Sequence, residues 1–251
     1  MLSLATLVWG QATMSLDQAD TSVVGATPAA DPAGFRDPTL LTRWLKALLW
    51  IGVALTVISF ASGLMELKLL SDMQAGETPP PGAADSNDLR QQIIGAIRFV
   101  EIVTVIIVFA IWIYRANYNA RQLGAEGMEF TPGWAVGWYF VPLANLWMPY
   151  MAMKEIWKAS AAPANWQDQP RGSILPWWWG FFLISNILNQ SALRFAMRAK
   201  TLDEIVASST TSVVADAVDV VSSLIAIVLV GQIYRMQMAH RASPTGSAIS
   251  S

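Results

Sequence analysis

Residues 130–160 read FTPGWAVGWYFVPLANLWMPYMAMKEIWKAS. No charge falls between Glu129 and Lys154, so the run is long enough to cross a bilayer. Its chemistry argues against crossing. Pro142 and Pro149 each remove a helical hydrogen bond and clash with the preceding turn. Gly133 and Gly137 weaken the start of any helix, and Asn145 would place an amide at mid-depth. Trp134, Trp138, Trp147, Tyr150 and Trp157 are spread along the whole length, whereas a spanning helix collects its indoles at two interfaces. The stretch at 133–158 therefore predicts a broken, re-entrant or interfacial helix. Irregular backbone at that depth survives only where protein or water covers it.

The rest of the chain sets the context. Of its 251 residues 54% are hydrophobic and 14% charged, against about 25% charged in soluble domains. Four further runs reach spanning length, at about 45–66, 93–114, 177–198 and 213–235. Each must be a helix, because unpaired backbone is not tolerated in lipid and the runs are too long for barrel strands. The expectation is an all-α polytopic membrane bundle of four transmembrane helices plus the Trp/Pro-rich broken element, the alternative being five spans. The helical domain occupies 41–240, between disordered tails at 1–40 and 241–251 of small and polar residues. Met14 competes with Met1 as the start. The connections at 69–92, with its GETPPPGAADSND stretch, and at 199–212 are expected to be loops. No internal repeat is visible.

Charge counting favours four spans. Cytoplasmic flanks collect Lys and Arg. If the aromatic run does not cross, ten of these residues fall on one side and five on the other; if it crosses, the two sides are nearly equal. The four-span arrangement puts both termini in the cytoplasm. Arg194 and Arg198 then lie outside, against the rule.

Composition also excludes chemistry. There is no cysteine and one histidine, His240. Thiolate metal sites, histidine zinc clusters and Ser-His or Cys-His catalysis lack parts. A net charge of −2 gives no basic surface for nucleic acid. Phosphate-loop, HExxH and G-x-S-x-G patterns are missing. No enzyme and no cofactor are expected.

Two groups of residues remain as candidates. The first is an intramembrane charge cluster. Arg98 and Glu101 share one face of the second span, and Asp216 and Asp219 share one face of the last. Such groups face the bundle interior and pair, and Arg98 and Asp216 fall at similar depth. Ion pairs that lock helix packing are weighed against a proton or cation pathway. All four lie near predicted helix ends, where snorkelling reduces their cost. The second candidate is the aromatic element itself: Trp134, Trp138, Pro142, Asn145, Trp147, Pro149, Tyr150 and Trp157. Eight of the twelve tryptophans lie from Trp134 to Trp179. They suit an interfacial belt, or a groove for a lipid chain or amphipathic partner with Asn145 and Tyr150 as polar contacts. Asn186, Asn189 and Gln190 predict interhelical amide hydrogen bonds. Ser59 and Gly63 predict close helix packing. Gly133 and Gly137 form a GxxxG spacing that reads as a hinge.

From about residue 93 to 238 the chain resembles a bacterial membrane family, domain-of-unknown-function family 4328. The resemblance rests on YRANYNARQLGAEGMEFTPGWAVGWYFVPLANLWMPYMAMKEIWKAS (114–160), LPWWWGFFLISNIL from Leu175 and IYRMQ from Ile233. The family pattern is similar to PGWAVGWxFxPxANLWxPYxxMxEIWxAS. Met148 stands at the open position before the PY pair, where the resemblance leads one to expect a basic residue, which argues against an essential charge there. The resemblance implies a small multi-pass protein of the bacterial inner membrane and supplies no activity. The function expected is packing, sensing or scaffolding with membrane lipid, another membrane protein or a second copy. The alternative is a small transporter or channel using the intramembrane Arg, Glu and Asp.

Overall fold

A computed structural model describes residues 34–242. The choice between Met1 and Met14, most of the expected N-terminal tail and residues 243–251 lie outside them. Six α-helices follow in order: α1 Thr39–Gln74, α2 Ala83–Gln122, α3 Pro132–Gly137, α4 Met148–Ala161, α5 Ile174–Arg198 and α6 Leu202–Ala242. Among the described residues there is no strand. Helices α1, α2 and α6 are long and apolar enough to cross a membrane. Helix α5 has 25 residues but does not reach the same apolarity, because its three leading tryptophans, its amides and Arg194 and Arg198 dilute it.

The long helices run past the apolar stretches, so both expected loops shrink. α1 continues to Gln74 and closes in a glycine cap: Gly76, at φ 83°, and Glu77 donate back to Met73 and Asp72. α2 starts at Ala83 and ends the same way on Gly124, whose N–H and that of Ala125 reach Arg121 and Ala120. Between α5 and α6 only residues 199–201 remain. Thr201 Oγ1 accepts from the Glu204 N–H while Glu204 Oε2 accepts from the amides of Lys200 and Thr201. That reciprocal box starts α6 eleven residues before the apolar run at Val213.

Side-chain partners fix the helix directions. Along α1 and α6, Thr39 meets Tyr234, Gly63 meets Val213 and Gln74 meets Asp203. One number rises as the other falls, so the helices are antiparallel. α1 and α2 are antiparallel by the same test, with Trp112 on Thr42 and Arg90 on Ser62. α5 opposes α6, with Asn189 on Asp219 and Ser208 on the Ala192 carbonyl. The bundle therefore has two ends. One holds the start of α1 and the ends of α2 and α6; the other holds Gln74, Ala83, Arg198 and Leu202. They are called the first and second end below.

Close approach is built in by glycine. A Cβ on Gly63 would lie 2.6 Å from Val213 Cγ2, and one on Gly52 2.6 Å from Glu101 Oε1. The core centres on Leu45, Trp112, Ile113, Ile156, Leu175, Leu229 and Ile233, toward the first end. There the chain before α1 is also held: Arg36 exchanges hydrogen bonds with Asn119, and Asp37 pairs with Arg241 at 2.8 Å.

Candidate functional site

The sequence 130–160 folds as a dip with both openings at one end. Thr131 caps α3, its Oγ1 accepting from the Trp134 N–H, and Pro132 takes an early position where no donor is needed. α3 gives way to a 3-10 turn, Trp138–Phe140. Val141 is extended ahead of Pro142, as the proline ring requires. Leu143 then takes φ 64° and ψ −51°, and the Ala144 N–H donates to the Pro142 carbonyl at 2.8 Å. This is a γ-turn of the rare, strained kind. A second 3-10 turn, Ala144–Leu146, leads into α4, where Pro149 again sits in the first turn. Neither proline interrupts a helix; each begins or precedes one.

Both flanks belong to the first end. On the way in, the Phe130 carbonyl accepts from Asn117 and Arg121 at the end of α2, and its N–H donates to Glu155 on α4. On the way out, Ser160 bonds Gln237 and the Ala161 carbonyl contacts His240. The two flanks touch each other: Trp166 Nε1 donates to the Glu126 carbonyl at 2.8 Å. The apex lies deeper. Trp179 Nε1 donates to the Leu146 carbonyl at 3.0 Å, and Tyr139 stands edge-on to Trp179 and Phe182. The hinge expected at Gly133 and Gly137 is not where the backbone turns; both are helical, and the turn is at Leu143.

Of the predicted aromatic residues, Trp134 and Trp147 are largely exposed, together with Phe140, Leu143 and Leu146. Trp138 stacks obliquely on Trp134 with ring centroids 4.9 Å apart. Glu129, Phe130, Trp134, Trp138 and Met148 line an open cleft of about 270 Å³. Pro142 and Asn145 are exposed, Pro149 is buried, and Tyr150 and Trp157 are half-buried. Asn145 and Tyr150 are not among the residues that line this cleft.

The charge cluster lies on the other side of Trp179. Arg98 pairs with Asp216, and reaches Asp219 at 3.3 Å, Ser59 at 3.0 Å and Thr56 at 3.4 Å. Asp219 accepts in turn from Ser185 and from Asn189 Nδ2 at 3.1 Å. One guanidinium thus joins α1, α2 and α6, and Asp219 extends the network to α5. Against the expectation of positions near helix ends, the layer sits at Thr56 and Ser59, inside the uncharged run of α1 between Lys46 and Glu66. Glu101 is brought near the cluster but makes no hydrogen bond in it; it packs over Gly52. The amides divide. Asn189 joins the network, Asn186 bonds the Phe182 carbonyl of its own helix, and Gln190 has no hydrogen-bond partner among the described residues.

Several polar anchors were not singled out by sequence. Asn117, Asn119, Ser160 and Gln237 are fully buried, and Gln237 joins Ser160 to the Ala116 carbonyl at 2.8 Å. Glu155 is buried with Oε2 on Phe130 and Oε1 without a hydrogen-bond partner among the described residues. Asn117, Asn119, Glu155 and Ser160 lie in the polar stretches NYNAR and EIWKAS beside apolar helices, but nothing local marks them, or Gln237, as buried.

No curated protein and no solved structure matches this chain. A family model described as "Domain of unknown function (DUF4328)" matches residues 75–235, from the link between α1 and α2 through the dip and the charge cluster to the last turns of α6. The chain belongs to that family.

Proposed function

We propose that this is a four-span protein of the bacterial inner membrane, both termini cytoplasmic, in which the Trp/Pro-rich element enters from the cytoplasmic face and returns to it. The observation that carries this reading is the contact between the flanks, Trp166 on Glu126 at 2.8 Å. Two segments in contact occupy one side of a bilayer, so the intervening run enters and does not cross. Depth agrees. From Gln237, beside Ser160, to Asp219 is 18 residues of α6, about 27 Å of helix. The apex at Leu146 meets Trp179, six residues of α5 before Ser185 in the charge layer, about 9 Å short of it. It thus reaches well into a hydrocarbon core about 30 Å thick. Ten Lys and Arg flank the first end and five the second, which supports a cytoplasmic first end.

Within that frame the role is non-enzymatic. The exposed side chains of the dip, Trp134, Phe140, Leu143, Leu146 and Trp147, form a wedge held by buried hydrogen bonds at its base. The wedge packs against lipid or a membrane partner, and the protein acts as a scaffold or sensor through it. The charge cluster supports the same reading, because Arg98 is committed to four partners that tie helices together. In vesicles containing lipids brominated near mid-chain, a fluorescent label on a single cysteine replacing Trp147, in a chain with no other cysteine, is expected to be quenched strongly; absence of quenching removes the dip from the acyl region. The second reading, transport, rests on Glu101, which lies beside the cluster without a hydrogen bond among the described residues. A proton or cation flux through reconstituted vesicles that is lost in Glu101→Gln would replace the scaffold.

A further inference from the structure

We infer that the outward face of α5 is a self-association surface, with a second copy of this chain as its occupant. The inference rests on α5 lying in the membrane as proposed above. Asn186 follows Ser185, whose hydroxyl bonds Asp219 in the charge layer, so Asn186 shares the depth of Thr56 and Ser59 in the uncharged run of α1. Yet Asn186 and Gln190 are exposed on the outside of the bundle. Asn186 satisfies one donor within its helix; among the described residues its carbonyl oxygen has no partner, and Gln190 has none for either group. Lipid tails offer nothing to an amide, and each unsatisfied polar group there costs free energy.

These amides lie on a regular seam. Asn186, Gln190, Leu193 and Met197, all exposed, are spaced four, three and four residues apart, the heptad interval of two helices packed side by side. Leu193 and Met197 are 60% and 71% exposed. The arginines fall off this line, toward the second end. An amide is both donor and acceptor, so it is its own complement. A two-fold axis along the membrane normal sets Asn186 against Asn186 and Gln190 against Gln190 at equal depth, with self-matching contacts. Any other partner must offer amides at two matching levels; a second copy does so by symmetry.

The chain has no cysteine, which makes the test direct. Single cysteines replace Ile184, Asn186, Ile187, Leu193 or Met197 in the full chain, purified into phosphatidylethanolamine–phosphatidylglycerol vesicles and oxidised. Disulfide dimers are expected at 186, 193 and 197 and not at 184 or 187. Uniform cross-linking at all five, or none with every site shielded from a water-soluble maleimide, overturns the inference and leaves the membrane placement standing. Ready maleimide labelling at 184 and 186 overturns the placement of α5 as well. As a second measure, Asn186→Leu with Gln190→Leu weakens dimerisation by energy transfer, by roughly threefold to thirtyfold for each amide. An unchanged dimer constant contradicts the proposal.

Discussion

Trp166 and Glu126 are joined by an indole-to-carbonyl hydrogen bond of 2.8 Å, although 40 residues and the whole aromatic run separate them. The bond ties the chain before the dip to the chain after it. Everything between becomes a closed excursion from one end of the bundle.

The apex of that excursion hangs on α5. Trp179→Phe keeps the ring contacts with Tyr139 and Phe182 and deletes the donor to the Leu146 carbonyl. A partly buried acceptor left alone costs about 1–3 kcal/mol. The expected result is a lower melting temperature in detergent and faster proteolysis near Leu146. Unchanged values for both contradict the anchor.

Leu143 holds φ at 64° and is 74% exposed. Strain of this kind costs on the order of 1–3 kcal/mol, and glycine relieves it. Leu143→Gly is expected to match or exceed the parent in thermal stability, and Leu143→Val to fall below it. The reverse order rules out the γ-turn.

The Tyr139 hydroxyl is buried with no hydrogen-bond partner among the described residues. Removing an orphaned polar atom while keeping the ring is neutral or favourable. Tyr139→Phe is expected to leave the melting temperature unchanged or raise it. A marked loss of stability means that the hydroxyl has a partner.

Arg98 faces both Asp216 and Asp219. Arg98→Leu strands two carboxylates, and breaking a buried pair costs about 3–5 kcal/mol. Severe loss of folded yield is expected, with partial recovery when Asp216→Asn and Asp219→Asn are added. Equal yields in the single and triple variants would show that the charges are not coupled. Asp219→Asn alone is the mildest change, because Ser185 and Asn189 can still bond an amide.

Glu204 gives a pH signal outside the apolar segments. Hydrogen bonds from the Lys200 and Thr201 amides hold its carboxylate below the ordinary glutamate range. A depressed folded-state value means that the cap is complete above the ordinary range and is lost as pH falls through the lower, folded value. The Lys200 and Thr201 amide proton shifts are expected to titrate together, with a midpoint below that of a free glutamate, and to stop doing so in Glu204→Gln. A midpoint at or above the free value contradicts the cap.

The sequence was most informative where one physical rule dominates. Prolines at 142 and 149 forbid a continuous helix, and the structure has none across them. Arg98 and Asp216 were expected at one depth because charge in an apolar run needs a partner, and they meet. The full length of the helices was harder to read. Gly76, Gly124 and the Thr201–Glu204 box are the stop and start signals, but they lie beyond the apolar runs, in stretches whose polarity suggested loops. The outward turn of Asn186 and Gln190 was hidden for another reason. An apolar run tells that a helix meets lipid, and not which of its faces does so. Gln237 and Asn117 were missed because a buried amide pairs with backbone carbonyls distant in sequence, which no local spacing records.

The most direct measurement uses four single cysteines, replacing Pro80, Glu126, Asn165 and Lys200, all exposed. Intact cells are treated with a thiol reagent that does not cross the inner membrane. Labelling is expected at 80 and 200, and at 126 and 165 only after the cells are opened. If 165 reacts in intact cells while 126 does not, the aromatic run crosses the bilayer, and the account of the dip fails.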